Sequence, residues 1–406
     1  MMRVMVVARL FSGLADSLSD GTWQPKGVPA IYHLLEGLAA RPDIELLTVF
    51  TCKDAFDGKF KQARQFAVDP IGDVVILPWA PRPLLARFGL DGKLRELSHL
   101  IRCLNLYRKF RPDTTYWTNA NFLIAGLFAQ LGLSRTMLRF LGIHPEQKRL
   151  AVGGSCLQRW FYRSPFDLAI CSLDGSGGRA YLPKLLSAET PIEVILNGVD
   201  APQPCPEMVA DLREKYGLGG RPVVAFVGRL EANKGCREFV LAAGKVLERR
   251  PDSIDAVVVG GGAMFNELQG IARTSKLRDR IHMIGQVSHA EVPAWLEIAS
   301  VYVSINHYGS LSNANLEAVS AGKCVVILEK DPATHTDEET EDVLPTDSVV
   351  RIDRHDIENA LADTLIDLVD SPDKIAQYAE GARQVAARTF RTWEERIDYE
   401  IDLIRA

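Results

Sequence analysis

The 406-residue chain lacks several patterns that would assign a function at once. Its seven cysteines are scattered without a Cys-x-x-Cys pair, which predicts buried thiols in a reducing compartment and neither a disulfide framework nor a zinc site. No Asp-x-Asp sits in a loop at a predicted strand end, and the eight histidines are dispersed, so we expect no metal site. The net charge of −5 gives no reason to expect a nucleic-acid partner.

Long apolar runs are missing as well. The longest, 120–133, contains polar residues and glycines and is too short to cross a bilayer. At the N-terminus, Arg3 and Arg9 flank a short apolar run, which indicates a first strand and not a signal peptide. The sequence therefore predicts a cytoplasmic protein without a transmembrane segment.

The chain does contain apolar runs that alternate with helical segments. The runs are 4–8, 44–51, 74–78, 137–142, 168–171 and 192–196, followed by 223–227, 256–259, 281–284, 301–305, 325–328 and 349–352. Strands that alternate with helices predict parallel sheets, and this length favours two domains. A Pro- and Gly-rich segment, 197–208, is the expected linker. We thus predict an α/β fold with one domain over 1–196 and another over 209–388.

Two segments of the second domain read as a strand, a loop and the start of a helix: VVAFVGRLEANKG at 223–235 and SLSNANLEAVSAGKCVVI at 310–327. The first segment places Arg229 and Lys234 in its loop, and the second presents Ser310, Ser312 and Asn313 ahead of a stretch that carries Glu317. A helix N-terminus offers free N–H groups and the positive end of the helix dipole, which suit phosphate. Two cations beside such loops indicate a diphosphate ligand.

These segments resemble retaining glycosyltransferases of the GT-B fold, of the glycosyltransferase family 4 (group 1) type. The resemblance extends to a VGGG turn at 259–262, to NGVD at 197–200 and to a closing segment, FRTWEERIDYEI, at 390–401. It implies two Rossmann-like domains that face each other across a cleft, with the acceptor on the first and the donor on the second. The last segment, 389–406, would be a helix that crosses back to the first domain.

The resemblance also implies roles for single residues. The residues expected at the donor diphosphate are Arg229, Lys234, Gly27, Ser312 and Asn313, and Glu317 is expected to bind the ribose hydroxyls. The residues expected around the base or sugar are Gly261, Gln286, Val287, His307, Gly309 and Leu311. His144 is expected to contact the sugar and act in catalysis, although an isolated histidine at a strand end is more often structural. Ser172 and Asp174 match a step of the family that is usually structural.

One position departs from the family pattern. The family places another glutamate eight residues before the one at 317, near the donor sugar and its phosphates, and this chain has Gly309 there. Sugar contacts at this site must then come from a carboxylate elsewhere or from the neighbouring His307 and Tyr308.

The function implied is transfer of a sugar from a UDP- or GDP-sugar to a hydroxyl of a polysaccharide precursor, a lipid-linked glycan or a small molecule. Metal ions and cofactors are not expected, because oriented dipoles and cations can stabilise the departing diphosphate. Two rivals stay open: a nucleotide-sugar epimerase on the same fold, and an altered protein that only binds a nucleotide sugar or a partner.

The segment 82–163 is rich in Lys and Arg and poor in acidic residues. Aromatic and apolar residues lie within or beside it, namely Trp79, Leu84, Leu85, Phe88, Trp160, Phe161 and Tyr162. This combination suits an anionic membrane surface or a phosphate-bearing acceptor. Solvated helix faces are the alternative interpretation.

Overall fold

The computed structural model describes residues 1–54, 59–79, 87, 90–274 and 279–406 and divides into two compact units. Unit 1 comprises Met1–Leu173, Gly178–Asn197 and Trp393–Ala406, and unit 2 comprises Asp174–Gly177 and Gly198–Thr392. The prediction of a two-domain α/β fold is confirmed. The short excursion of 174–177 into unit 2 was not predicted.

Unit 1 is built on a sheet whose order, within the described residues, is β3-β4-β2-β1-β5-β6-β7-β8. Its strands are β1 Met2–Arg9, β2 Ile44–Thr51, β3 Arg64–Val68, β4 Gly72–Leu77, β5 Thr114–Thr118, β6 Arg135–Phe140, β7 Leu168–Leu173 and β8 Ile192–Leu196. All neighbours pair in parallel except β3, which runs antiparallel to β4 at the sheet edge.

Helices cover both faces of this sheet. They are α1 Ser12–Ser19, α2 Pro29–Ala39, α3 Asp91–Phe110, α4 Phe122–Gln130, α5 Pro145–Val152, α6 Cys156–Tyr162 and α7 Gly178–Leu185, together with the C-terminal helix Trp393–Arg405. Side chains alternate along a strand, so Val4 and Val6 enter one apolar core while Met5 and Val7 enter the other. The sheet is therefore buried on both faces, which explains its nearly continuous apolar runs.

Unit 2 has a parallel sheet whose described strands follow the order β11-β10-β9-β12-β13-β14. The strands are β9 Val223–Val227, β10 Asp255–Val259, β11 Ile281–Gly285, β12 Val301–Ser304, β13 Cys324–Leu328 and β14 Val350–Ile352. The helices are α8 Pro206–Tyr216, α9 Cys236–Arg249, α10 Phe265–Thr274, α11 Val292–Ile298, α12 Asn313–Ser320, α13 Thr340–Val343, α14 Ile357–Asp370 and α15 Pro372–Thr389; the C-terminal helix is then α16.

Two strands escaped the sequence prediction. β5 has the sequence TTYWT, and every one of its residues is buried. Its three threonines are polar, so the strand does not appear as an apolar run. The hydroxyl of Thr115 donates to the backbone oxygen of Arg135 at 3.4 Å, so this polar group is satisfied inside the sheet. β3 is largely exposed and lacks an apolar run. The cysteine prediction also needs correction, because Cys156 and Cys205 are exposed.

A buried ion network joins α16 to the sheet of unit 1. The Glu400 carboxylate lies 3.1 Å from Nε of Arg139 and 2.6 Å from Nη1 of Arg396, and it accepts a hydrogen bond from the Tyr116 hydroxyl. Burial alone would raise the pKa of Glu400, but the two guanidinium groups hold it below its ordinary value. The network is completely enclosed, so Arg139 does not belong to the basic surface predicted for 82–163.

Other parts of that predicted surface differ too. Arg82, Leu84, Leu85 and Phe88 lie outside the described residues. Tyr162 is buried, whereas Trp160 is 53% exposed. Of the helices in the described part of the chain, none combines the length and apolarity needed to cross a membrane.

Candidate functional site

The strand order of unit 2 reverses between β9 and β12. The chain builds outward from β9 to β10 and β11 on one side, and from β12 to β13 and β14 on the other. In open parallel sheets, ligands bind outside the carboxyl ends of the strands at such a switch point. The loops after β9 and β12, which contain both motif segments, therefore flank the expected ligand crevice of this unit.

Main-chain packing fixes the loops after β9 and β10 against each other. Gly228 N–H donates to Val259 O at 3.0 Å, and Leu230 N–H donates to Gly261 O at 2.9 Å. A Cβ at Gly260 would lie 1.8 Å from Gly228 O, and one at Gly262 would lie 2.5 Å from Leu230 O. Glycine is required here because the backbones touch, which accounts for the VGGG turn at 259–262.

The loop after β9 also touches the end of β12. Gly235 has φ 70° and begins α9, and a Cβ there would lie 2.3 Å from Ile305 O. His307 N–H donates to Asn233 O at 3.0 Å, and the His307 ring lies 3.2 Å from Oε1 of Glu238. The fold therefore brings the two motif segments together at the switch point.

The two predicted cations differ in environment. Arg229 is 72% exposed and pairs with Glu231 at 2.9 Å. Lys234 is half-buried, and burial, followed by repulsion from Arg229, lowers its pKa. Within the described residues, Lys234 has neither a hydrogen bond nor an ion pair for its ammonium group. A partly desolvated cation without a counter-charge is a ready binding group for an anion.

The segment before α12 is held by a buried carboxylate. Ser310 donates its N–H to Asp337 at 2.7 Å and its hydroxyl at 2.9 Å. Burial raises the pKa of Asp337, although the hydrogen bonds from Ser310 and Thr340 oppose that shift. Ser312 occupies the N-cap position of α12 without a side-chain capping hydrogen bond and, like Asn313, is half-buried. The cap and first turn of this helix therefore retain access to solvent, where an anion can reach its N-terminus.

Gly309 packs against a second glycine. Its φ is 142°, and a Cβ there would lie 2.3 Å from Asp174 O and 2.7 Å from the carbonyl carbon of Gly175. A Cβ at Gly175 would in turn lie 2.3 Å from the Asp337 carboxylate. Leu311 N–H donates to Asp174 O at 3.2 Å, and Asp337 N–H donates to Gly175 O at 2.7 Å. The loop 174–177 thus occupies the space into which a side chain at 309 would project.

This loop brings a carboxyl group that sequence analysis had set aside as structural. Burial raises the pKa of Asp174 to about 6, against two hydrogen bonds from Ser176 that lower it, and the nearby Asp337 adds to the rise. Asp174 is also close enough to Lys234 to raise the pKa of that lysine. The acidic residue followed by glycines in LDGSGG was the available sequence signal.

Glu317 lies on α12 and is half-buried. Burial raises its pKa, and its charge in turn helps to raise the pKa of Tyr302. Its carboxylate forms no hydrogen bond to any described residue. A half-buried acceptor without a hydrogen bond suits a ligand that donates hydroxyl hydrogens.

The residues expected around a base or sugar are placed differently from one another. Gln286 is exposed directly after β11, and its Cβ would lie 3.2 Å from a Cβ at Gly261. Val287 is half-buried beside it. Leu311 is completely buried, so its side chain cannot meet a ligand and only its backbone could.

The two predicted residues of unit 1 lie in loops. His144 begins α5, where its N–H donates to Gln147 at 2.9 Å; partial desolvation and Arg9 lower its pKa, which favours the neutral imidazole. Gly27 has φ 76°, and no atom lies within 4 Å of a Cβ built there, so conformation rather than space requires glycine. The backbone of Lys26, beside it, packs on the first turn of α1: its N–H donates to Gly13 O at 3.0 Å, and its oxygen would lie 1.7 Å from a Cβ at Gly13.

Among the described residues, no group of three or more His, Cys, Asp or Glu side chains could hold a metal ion. What unit 2 assembles instead is an open cation, a helix N-terminus and an open carboxylate around one switch point. This set can bind a molecule that carries phosphate at one end and hydroxyl groups at the other.

Comparison with known proteins gives this arrangement a context. Residues 209–385 match the family Glycosyl transferases group 1. The chain is 33% identical over 117 residues to the alpha-D-kanosaminyltransferase of Streptomyces kanamyceticus, covering 29% of this chain and 30% of that protein. It is 34% identical over 113 residues to a GDP-mannose-dependent alpha-(1-6)-phosphatidylinositol monomannoside mannosyltransferase of Mycobacterium tuberculosis (strain CDC 1551 / Oshkosh). That alignment covers 27% of this chain and 29% of that protein. The aligned segments thus span about a third of each relative.

A solved structure matches the whole fold. The Anabaena protein Alr3699/HepE, crystallised in complex with UDP, aligns over 99% of this chain and 100% of its own, with a TM-score of 0.70 and 18% identity. This likeness establishes the two-domain GT-B fold. Residues 209–385, within unit 2, thus match the group 1 glycosyl transferases, and the chain as a whole has the GT-B fold.

Proposed function

We propose that the protein is a retaining glycosyltransferase that moves a sugar from a nucleotide diphosphate sugar to a hydroxyl acceptor. The observation that carries the proposal is that the two segments beside the switch point of unit 2 provide, among the described residues, a cation without an ion pair and a carboxylate without a hydrogen bond. Lys234 and the N-terminus of α12 supply positive potential for a diphosphate, and Glu317 supplies an acceptor for ribose hydroxyls.

The reaction needs stabilisation of the departing diphosphate and of an electron-poor sugar carbon. Lys234 and Arg229 would neutralise the charge that grows on the leaving diphosphate. Preorganised backbone N–H groups would stabilise the same charge. A guanidinium can hold two phosphate oxygens, whereas an ammonium acts as a compact charge. No metal ion or cofactor is required in this scheme, because the cations and dipoles replace it.

His144 is proposed to contact the sugar, and its lowered pKa keeps the imidazole neutral at physiological pH. A neutral ring can donate a hydrogen bond to a sugar hydroxyl without adding charge beside a cationic transition state. Gly27 is proposed to bring backbone toward the donor phosphates, which its positive φ makes possible.

The donor base is proposed to be uracil or guanine. One relative is named as GDP-mannose-dependent, and the Anabaena structure contains UDP. Backbone groups around Gln286 and Val287 would hold the base, and these offer few features that separate the two. A glycan, lipid-linked or small-molecule acceptor, in a cytoplasmic enzyme that contacts the membrane peripherally, completes the proposal.

The second candidate is a protein that binds a nucleotide sugar without turning it over. Gly309 favours it, because no carboxylate stands at that position. Asp174 offers a substitute, since its carboxyl lies in the loop that packs on Gly309.

A turnover assay separates the two candidates. The wild-type protein is incubated with a panel of UDP- and GDP-sugars, and release of the nucleoside diphosphate is followed. Slow release from one donor, abolished in Lys234→Ala and strongly reduced in His144→Ala, supports the transferase. Tight binding of a donor with no release, even with glycan and glycolipid extracts as acceptors, would support the binding protein instead.

A further inference from the structure

A row of apolar side chains at the N-cap and along α3 faces solvent. Leu90, Leu94, Leu97 and Ile101 are 42%, 42%, 51% and 52% exposed. Their spacing of four, three and four residues places them along one side of the helix. We call these four residues the apolar row. The opposite side of α3 buries His99 and Cys103, so the apolar row is not the face that packs on the sheet.

A cavity of about 240 Å³ lies between α3 and the strands β3 and β4. Three cations line it: Arg64 from β3, and Arg102 and Lys109 from α3. Gln65 and Asn105 add amide groups. Among the described residues that line this cavity there is no carboxylate, so the space is strongly electropositive.

Within the described residues, no carboxylate pairs with any of these three cations. Arg102 and Lys109 have no ion pair within the described part of the chain. Arg64 reaches only the backbone oxygen of Ser19 at 3.5 Å and the face of the Phe60 ring at 5.8 Å. Arg95, on the same helix, does have a carboxylate partner, since it pairs with Glu96 at 3.0 Å. The cations that line the cavity differ from it in this respect. An anion in the cavity would relieve the repulsion among the three.

The apolar row and the cavity are neighbours. At 100° of rotation per residue, Arg102 and Lys109 lie about 100° around the helix from the centre of the row. One exposed surface of α3 therefore carries apolar side chains beside a cationic pocket. This is the composition of an interfacial helix that inserts apolar side chains between acyl chains while cations hold lipid phosphates.

We propose that this surface docks on an anionic phospholipid membrane, with the apolar row inserted and a lipid phosphate bound in the cavity by Arg64, Arg102 and Lys109. A soluble phosphate ester would satisfy the cavity but would leave the apolar row exposed to water. The lipid assignment does not depend on the proposed donor site, which lies in the other unit.

The test is co-sedimentation of the full-length protein with vesicles of equal parts phosphatidylcholine and phosphatidylglycerol at low salt. Arg102→Ala/Lys109→Ala should weaken the partition coefficient about thirtyfold, because each cation near an anionic surface contributes on the order of 1 kcal/mol. Leu97→Ser/Ile101→Ser should weaken it about tenfold or more through lost apolar burial. Vesicles of phosphatidylcholine alone should bind poorly.

A matched control removes two cations from the same unit away from the cavity. Arg149 and Arg163 are exposed, so Arg149→Ala/Arg163→Ala changes the net charge equally. An equal loss in this variant would assign binding to general charge and overturn the proposed site. Wild type that ignores the anionic vesicles but binds glycerol 1-phosphate would assign the cavity to a soluble ligand and overturn the lipid proposal. Unchanged nucleotide binding by all variants keeps this outcome separate from the donor site.

Discussion

The two units of this protein use different means to hold their polar groups. In unit 2 the loops around the switch point are shaped by backbone contacts, with Gly235, Gly260 and Gly262 packed on carbonyl oxygens. In unit 1 the order comes from side chains, as in the enclosed network of Glu400 with Arg139 and Arg396. A close glycine contact leaves no room for an added side-chain atom, whereas a buried ion network is destabilised when one charge is removed. Unit 2 should therefore lose stability when a side chain is added at these glycines, and unit 1 when a charged side chain is truncated.

The largest effect is expected in the side-chain network. Glu400→Ala leaves two buried guanidinium groups without a counter-charge, which should cost about 3–5 kcal/mol of unfolding free energy. Urea denaturation measures it. Since the pKa of Glu400 is depressed, its contribution should be present above the pKa of the unfolded chain and fade as the pH falls through the folded value. The exposed Glu394→Ala should change stability little, and equal losses would contradict the account.

The next effect tests the backbone contact of unit 2. Gly309→Ala forces a Cβ toward Asp174 O in a backbone conformation that suits glycine, and should cost about 1–3 kcal/mol. Gly309→Glu should be at least as costly, so it cannot simply restore the family carboxylate. Thermal unfolding measures both. Alanine at Gly270, where a Cβ meets nothing within 4 Å, is the control, and a Gly309→Ala protein as stable as wild type would contradict the contact.

A smaller effect concerns ligand binding in the same loops. Lys234→Ala should weaken binding of a nucleotide sugar about tenfold or more, since a hydrogen bond to a charged group is worth roughly 1.5–3 kcal/mol. Calorimetry measures the affinity. Arg237→Ala removes an exposed cation that pairs with Glu267 on the next helix, and this control should bind as wild type does.

The smallest effect is a dependence of stability on pH. Asp174 has its pKa raised to about 6, so its folded form prefers the proton, and its contribution is largest at low pH and lost as the pH rises through that value. Asp174→Asn should therefore melt higher than wild type at about pH 7.5, and the gain should vanish near pH 4. Melting curves of the exposed Asp211→Asn should show no such trend; a gain at all pH values for Asp174→Asn would contradict the assignment.

Sequence patterns predicted much of this molecule and missed definable parts. The apolar runs predicted twelve strands near their observed positions, because buried parallel strands are continuously apolar. β5 was missed because threonine is polar in composition yet satisfies its hydroxyl within a sheet. The placement of 174–177 could not be read from local pattern, since it depends on contacts with residues more than a hundred positions away.

The candidate site shows the same division. Glycine spacing indicated the loops, because a close approach of two backbones leaves a mark in sequence. The burial of a single side chain leaves no comparable mark in the sequence. The sequence therefore did not show that Arg229 is exposed, Lys234 half-buried and Leu311 enclosed. The pairing of Gly309 with Gly175 emerged only from the fold.

The central claim is that the switch point of unit 2 binds a nucleotide diphosphate sugar. Calorimetric titration of wild type and Lys234→Ala with UDP-, GDP- and ADP-sugars tests it most directly. We predict saturable one-site binding of a UDP- or GDP-sugar that Lys234→Ala weakens about tenfold or more. No binding to any of these nucleotide sugars, or equal binding by both proteins, would contradict the claim.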